Sequence, residues 1–314
     1  MGNESSLNNY VCLPTWLRAR SFINLHNNNV DTANRYTLKR LYHLNSKLMQ
    51  LDYLLELIHS ALPPETSMKG DRLGLQVQSG RSRISSILTT LEVTDEVITE
   101  AQNNGCDCIV TFHPLIFSPI VSLQDSDRVG RLCSKLIRSE IALIAVHTNF
   151  DAFPKGTSAI LSHELGLKIE RVLVPDLKHD KFGIGVVARC RTTMDSNTLL
   201  SIVRRVCGSP LRYSGGENKE INTVAIVGGS GTSFIDDAIN SGAECFITAD
   251  VKYHTFHYAS GKIMIIDPGH YEMEHFVPQG LASLLQEITS GKSMGNPPKI
   301  ICSATTTNPV AYFA

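Results

Sequence analysis

The stretch GCDCIVTFHP, Gly105–Pro114, carries the reading on which the fold turns. A glycine able to end a helix is followed by the run 107–111, DCIVT, and then by a histidine where the apolar run stops. A short apolar run bounded in this way reads as a buried strand. The pattern recurs. GAECFITAD, Gly242–Asp250, repeats the layout at an offset of 137 residues, setting Gly105 on Gly242, Asp107 on Glu244, Cys108 on Cys245 and Thr111 on Thr248. In both copies a helical pattern ends at Asn104-Gly105 or Ser241-Gly242, and ligand-type residues follow the strand: His113 in the first, Asp250 and His254 in the second. Such self-similarity predicts a duplicated unit and two similar lobes facing each other.

Working outward, further strands are expected near 84–91, 142–146, 182–188, 222–227 and 263–267, with helices over 94–104, 127–139, 155–166, 195–207, 231–241, 252–260 and 271–289. Upstream, Leu44, Leu48, Leu51, Leu55, Ile58 and Leu62 recur at three- and four-residue steps, an amphipathic helix stopped by Pro63-Pro64. Strands alternating with helices imply βαβ units, an α/β class with largely parallel sheets. At roughly 150 residues per domain, 314 residues make about two domains or one two-lobed domain.

A net charge of −1 gives no field to draw the chain to nucleic acid or anionic lipid, so a nucleic-acid partner is not expected. Apolar runs such as Ile141–Val146 fall far short of the ~20 residues that span a bilayer, and no secretory h-region opens the chain. The reading is a soluble cytoplasmic protein without a membrane partner. Residues 1–50 hold six basic and two acidic side chains, a local +4 that leaves −5 on the remainder. Residues 1–43 therefore read either as a poorly ordered extension or as a mitochondrial presequence. Eight scattered cysteines without a C-x-x-C fit neither a disulfide framework nor a zinc ribbon, and point to a reducing compartment.

In open α/β sheets the binding crevice lies beyond the carboxyl ends of the strands. His113, Asp151, and His270 with Glu274 all fall there, and the last two are four residues apart, on one face if helical. Singly, each is as readily a hydrogen-bonded loop residue. As a set, two imidazoles and two carboxylates suit zinc, iron or manganese. Tyr253-His254 opens a helix after a strand and is a candidate general base or substrate contact, and Lys252 beside it a candidate phosphate contact. The turn Val227-Gly-Gly-Ser-Gly-Thr232 reads as a phosphate cradle or, better, as a tight turn, since it matches no nucleotide-binding pattern. His163-Glu164 has Leu167 where a zincin needs its second histidine.

The blocks Phe112-His-Pro-Leu-Ile-Phe117, His147-Thr-Asn-Phe-Asp151, Thr248-Ala-Asp-Val-Lys-Tyr-His254 and Gly269-His270 with Glu274 resemble the signatures of the Nif3-like family, also described as GTP cyclohydrolase I type 2. The resemblance runs from about Leu44 to Phe313 and takes in Asp71-Arg-Leu-Gly-Leu75 and Thr307-Asn-Pro309. It implies two related lobes, about 44–169 and 170–314, with mixed, largely parallel sheets facing a central metal-binding cleft. It further implies a toroidal homohexamer and a dinuclear metal centre. The roughly 75 residues between Asp151 and Val227 leave no room for the domain inserted in some members. Carried over by motif, His113, Asp151, His270 and Glu274 are metal ligands, with Glu274 bridging. Phe112 stands where bacterial members have a second histidine, which removes one nitrogen and leaves one ion or a weak second one unless His254 or His275 compensates. The implied activity is hydrolytic opening of the GTP purine ring, with Glu274 holding the ions and His254 moving protons. Two other readings stand beside it: a non-enzymatic metal-binding scaffold or regulator with protein partners, and a metal-dependent phosphoesterase.

Overall fold

The computed structural model describes residues 48–78, 80–216, 219–291 and 296–313. The extension expected over residues 1–43 lies outside the described residues.

The described residues begin with β1 (Met49–Gln50), α1 (Leu51–Ala61), β2 (Gly74–Val77), β3 (Arg83–Ile84), β4 (Ser86–Thr90), α2 (Asp95–Asn103), β5 (Cys108–Thr111), α3 (Arg128–Arg138) and β6 (Ala142–Ala145). They continue through α4 (Thr148–Asp151), α5 (Thr157–Glu164), β7 (Lys168–Pro175), β8 (Gly183–Asp195), α6 (Ser196–Cys207), β9 (Arg212–Ser214) and β10 (Glu220–Ile226). Last come α7 (Ile235–Asn240), β11 (Cys245–Ile247), α8 (Tyr253–Ala259), β12 (Met264–Asp267), α9 (His270–Glu274), α10 (Val277–Thr289) and β13 (Lys299–Cys302).

The helices start where side chains can cap them. Thr94 accepts from the Val97 amide, Asp127 from Gly130 and Asp195 from Thr198. Two main sheets result, with orders β13-β4-β5-β6-β2 and β7-β8-β10-β11-β12-β9. In the first, β13, β4, β5 and β6 are parallel and β2 is antiparallel at the edge. In the second, β10, β11 and β12 are parallel, with β9 antiparallel on one side and β8 on the other. Strand residues alternate between faces, so Cys108 and Val110 join one core with α1 and α10, while Ile109 joins another with α2 and α3. Each sheet is thus a middle layer between helices.

The four-strand set β4-β5-β6-β2 matches β10-β11-β12-β9 in order and direction. Register matches as well. Cys108 pairs with Ile87 and Cys245 with Val224, and those partners are themselves 137 residues apart. Asp107 accepts from the amides of Ser85 and Ser86, as Glu244 does from Asn222 and Thr223. Gly105 and Gly242 both turn the chain at positive φ, 64° and 82°.

Several expectations need correction. The helix expected over 271–289 is two, α9 and α10, because Pro278 lacks an amide hydrogen and sits in the first turn of a new helix. The segment 155–166 shortens to α5 after the separate turn α4. The second lobe does not run to residue 314: α10 packs into the core of the first sheet and β13 pairs with β4. Everything between Asp151 and Val227 that is regular builds or packs on the second sheet. The described cysteines are free thiols, buried except for Cys302, and burial pushes Cys108 and Cys245 up. Among the described residues no helix is long and apolar enough to cross a membrane.

Candidate metal centre

Strand ends from both sheets meet at one point. Beyond β5 the ladder continues, the Phe112 amide donating to Thr90 and the His113 amide to Leu91, which holds His113 in extended register past the sheet. Beyond β12, Gly269 turns at φ 96°, where a Cβ would lie 2.2 Å from Glu272 Oε2, and α9 begins at once with His270. One turn later Glu274 faces the same way, 3.1 Å from His270 Nε2 and 3.3 Å from His113 Nε2 through the same oxygen, Oε2. The ligand atoms of His113, His270 and Glu274 lie within 4.8 Å of one another.

The opposite nitrogens are fixed by carboxylates. His113 Nδ1 sits 3.3 Å from Glu92, and His270 Nδ1 sits 2.7 Å from Asp250, which also accepts from the Ser230 hydroxyl. A carboxylate on Nδ1 sets the ring orientation and aims Nε2 at a common point, the arrangement usual around metal-binding imidazoles. Burial on its own would push the imidazoles down, but Glu274 and Glu92 raise His113 to about 10, and Glu274 and Asp250 raise His270 to about 9. For Glu274 burial is again outweighed, by the two imidazoles, which hold it down to about 2. Asp151, half-buried, is pushed up to about 7 by burial and then by the charge of Glu274. Two buried oxygens, Asp151 Oδ1 and Glu274 Oε2, have no hydrogen-bond partner. A pocket with such acceptors and paired imidazoles fits a cation by the chemistry of its donors, borderline nitrogen and hard oxygen.

The Val227–Thr232 turn is a wall of this site. A Cβ on Gly229 would stand 2.6 Å from Glu274 Oε1, and one on Gly228 3.8 Å from Asp151 Oδ1. The amides of Gly228 and Gly231 already donate to Ser158 and Thr248, so the turn does not cradle phosphate with them. Close approach is why glycine stands there.

Among the expected site residues, His113, His270 and Glu274 come together; Asp151 lies outside that cluster, behind the neighbouring Gly228, close enough to feel the charge of Glu274. His254 does not: it is exposed on α8 beside Tyr253, and neither the cluster nor the cleft described below includes it. Lys252, at the start of the same helix, is also exposed. His275 turns to the Glu272 carbonyl, 3.0 Å away, and stacks on Tyr271, so it does not replace the nitrogen lost at Phe112. Phe112 itself is core, packed against His113, His147 and Phe150. Sequence reasoning overlooked His147, whose ring lies 5.6 Å from that of His113 and whose Nδ1 is held 2.7 Å from Asp71. Its spacing of four before Asp151 was the available signal. Asp71 also accepts from the Thr148 amide and is held below the usual carboxylate range, burial being outweighed by His147 and Thr148.

A cleft of about 610 Å³ opens onto His113, Asp250 and His270.

Residues 49–309 match the DUF34/NIF3 (NGG1p interacting factor 3) family as a whole. The chain belongs to that family. Among DUF34/NIF3 relatives, a GTP cyclohydrolase 1 type 2 homolog of Clostridium perfringens is 32% identical over 228 residues, 72% of this chain and 87% of the relative. One from Lactococcus lactis is 31% identical over 263 residues, 82% and 97% respectively. A Staphylococcus aureus hypothetical protein of solved structure is 27% identical with a TM-score of 0.78, covering 85% of this chain and all of that one. A Bacillus cereus protein related to NIF3 shares the fold at a TM-score of 0.78 and 22% identity, with 85% and 100% coverage.

Proposed function

We propose that the chain is a metal-dependent hydrolase acting on a nucleotide, with purine ring opening of GTP as the reaction. One observation carries this reading: His113 and His270, each turned by a carboxylate, aim Nε2 at the same buried oxygen, Oε2 of Glu274, beside an open cleft. The names of the Clostridium and Lactococcus relatives support the substrate.

His113, His270 and Glu274, with Asp151, would hold one divalent ion, zinc, iron or manganese. Such an ion supplies Lewis acidity and a nucleophile at neutral pH. The chain's own groups do the rest. Glu92 and Asp250 keep the imidazoles in the tautomer that leaves Nε2 unprotonated toward the centre. Glu274 supplies negative charge under the site, and the glycine turn seals its far side. His147, held by Asp71 near His113, is the residue placed to support a second ion in the position that Phe112 weakens. Assembly into a homohexamer belongs to the same proposal and is read by sedimentation.

The test is formate release from GTP by protein loaded in turn with zinc, iron and manganese. Release that depends on metal and disappears in Glu274→Gln is the expected result. No release with any of the three metals would remove the ring-opening reaction.

A further inference from the structure

The cleft has features that holding a metal does not require. Part of its wall is apolar: Leu91, Pro210 and Tyr271, and the run Pro309, Val310 and Tyr312. That run follows β13 without regular structure, so side chains must fix its course. Glu100 fixes one end, accepting from Ser303 Oγ at 2.5 Å, the Ala304 amide at 2.8 Å and Thr305 Oγ1 at 2.7 Å. Glu272 on α9 fixes the other, accepting from Asn308 Nδ2 at 2.8 Å, while the Tyr271 hydroxyl meets Thr306 Oγ1 at 3.1 Å. Val310 and Tyr312 nevertheless stay 56% and 47% exposed, surface held in place beside the cleft and left uncovered among the described residues.

Two guanidiniums line the same cleft. Arg128 is held through Nη2 by Glu92 and the Val93 carbonyl, and Arg212 through Nη2 by Asp267, with its plane 5.6 Å from the Phe256 ring centre. A guanidinium has five donors, so each fork is oriented while donors beyond Nη2 remain for another acceptor. The acidic lining is already engaged by protein groups: Glu92 by Arg128, Asp250 by Ser230, Asp267 by Arg212, Glu272 by Asn308. Pinned apolar wall and pinned cationic forks together describe a site for a ligand with one flat apolar face and one anionic end.

We propose that this cleft binds a flat heteroaromatic ring carrying an anionic tail, with Tyr312 on the C-terminal wall facing the ring and Arg212, with Arg128, receiving the tail. The proposal rests on the nucleotide reading of the metal centre and adds the residues that would recognise such a substrate. Aromatic faces stack on any base, and the planar fork matches phosphate oxygens in pairs.

Equilibrium binding of GTP, guanosine and inorganic tripolyphosphate to the full-length chain tests it. Tyr312→Ala should weaken GTP and guanosine by about tenfold and spare tripolyphosphate. Arg212→Ala should weaken GTP and tripolyphosphate and spare guanosine, and Arg212→Lys should recover part of the loss. Metal content of all three variants should stay at the wild-type value; Tyr312→Ala should keep the melting temperature, whereas Arg212→Ala should lower it because the buried Asp267 loses its partner, and Arg212→Lys should restore most of that loss. If GTP is bound in this pattern but never converted, the hydrolase reading fails and the recognition site stands. If GTP is converted and both alanine variants bind and convert it as the wild type does, the recognition site is wrong and the hydrolase reading stands. Failure of all three probes to bind would overturn the proposal outright.

Discussion

His113, His147 and His270 each have Nδ1 beside a carboxylate, of Glu92, Asp71 and Asp250 respectively. Because a ring has two nitrogens, fixing one side decides what the other can do. Glu274 is the shared counter-charge for two of these rings, so Glu274→Gln should lower bound metal at least about tenfold, read by elemental analysis. Unchanged stoichiometry would place the ion elsewhere. Phe112 is 1% exposed against His113 and His147. Phe112→His should raise bound metal toward a further equivalent and lower the melting temperature, because an imidazole replaces a ring packed in the core. A constant metal ratio would show that position 112 does not limit the site. The cluster of His113, His270 and Glu274 was legible in the sequence because ligand-type side chains gathered beyond the carboxyl ends of strands are distinctive. Asp71 was not, since its role depends on a partner 76 residues away. His254 misled for a related reason: the start of a helix after a strand fixes where a residue lies along the chain but not which side of the helix reaches the cleft.

At the scale of elements, short strands and turns place these side chains. The parallel strands β4, β5 and β6 are buried along their length, which is why continuous apolar runs predicted them. The edge strands β7 and β9, largely exposed, carry no such run, and β2 is set by pairing with β6 more than by its own composition. The turn at Gly229, φ 60°, brings backbone to within contact of Glu274 and His270. Gly229→Ala should therefore act on the site through the backbone: the added methyl meets Glu274 Oε1 and the conformation is strained, so metal affinity should fall several-fold with the fold retained. Circular dichroism with metal titration checks it; wild-type affinity would mean that the turn yields without moving Glu274.

Across the molecule, the duplicated layout was readable at Gly105–Pro114 and Gly242–Asp250 because buried central strands tolerate few residue types. The return of α10 and β13 to the first sheet was not, because apolar periodicity does not say which lobe an element packs on. The charges gathered between the lobes predict how stability follows pH. In the metal-free chain His113 and His270 are raised from 6.5 to about 10 and 9, so their contribution is full below 6.5 and is lost as pH climbs through those values. Glu274, lowered from 4.5 to about 2, contributes fully above 4.5 and loses that only in strong acid. Asp151, raised from 3.8 to about 7, increasingly opposes the metal-free fold as pH rises between those values. A bound cation needs the imidazoles deprotonated and welcomes the ionised carboxylates. The gap in melting temperature between metal-loaded and chelator-treated protein should therefore widen from about pH 6 to about pH 9. A gap that stays constant would separate metal binding from these imidazoles.

Pairing of β13 with β4 also bears on how the chain is made. A ribosome releases residues in order, and domains tend to fold as their sequence emerges. Here the first sheet has an open edge until Lys299–Cys302 arrive, near the end of the chain, while the second sheet already has all its strands by Asp267. The first sheet is thus completed after the second, and the wall carrying Tyr312 follows β13. A nascent chain stalled before residue 299 would expose the β4 edge to other strands, so premature termination should yield aggregation rather than a smaller active protein.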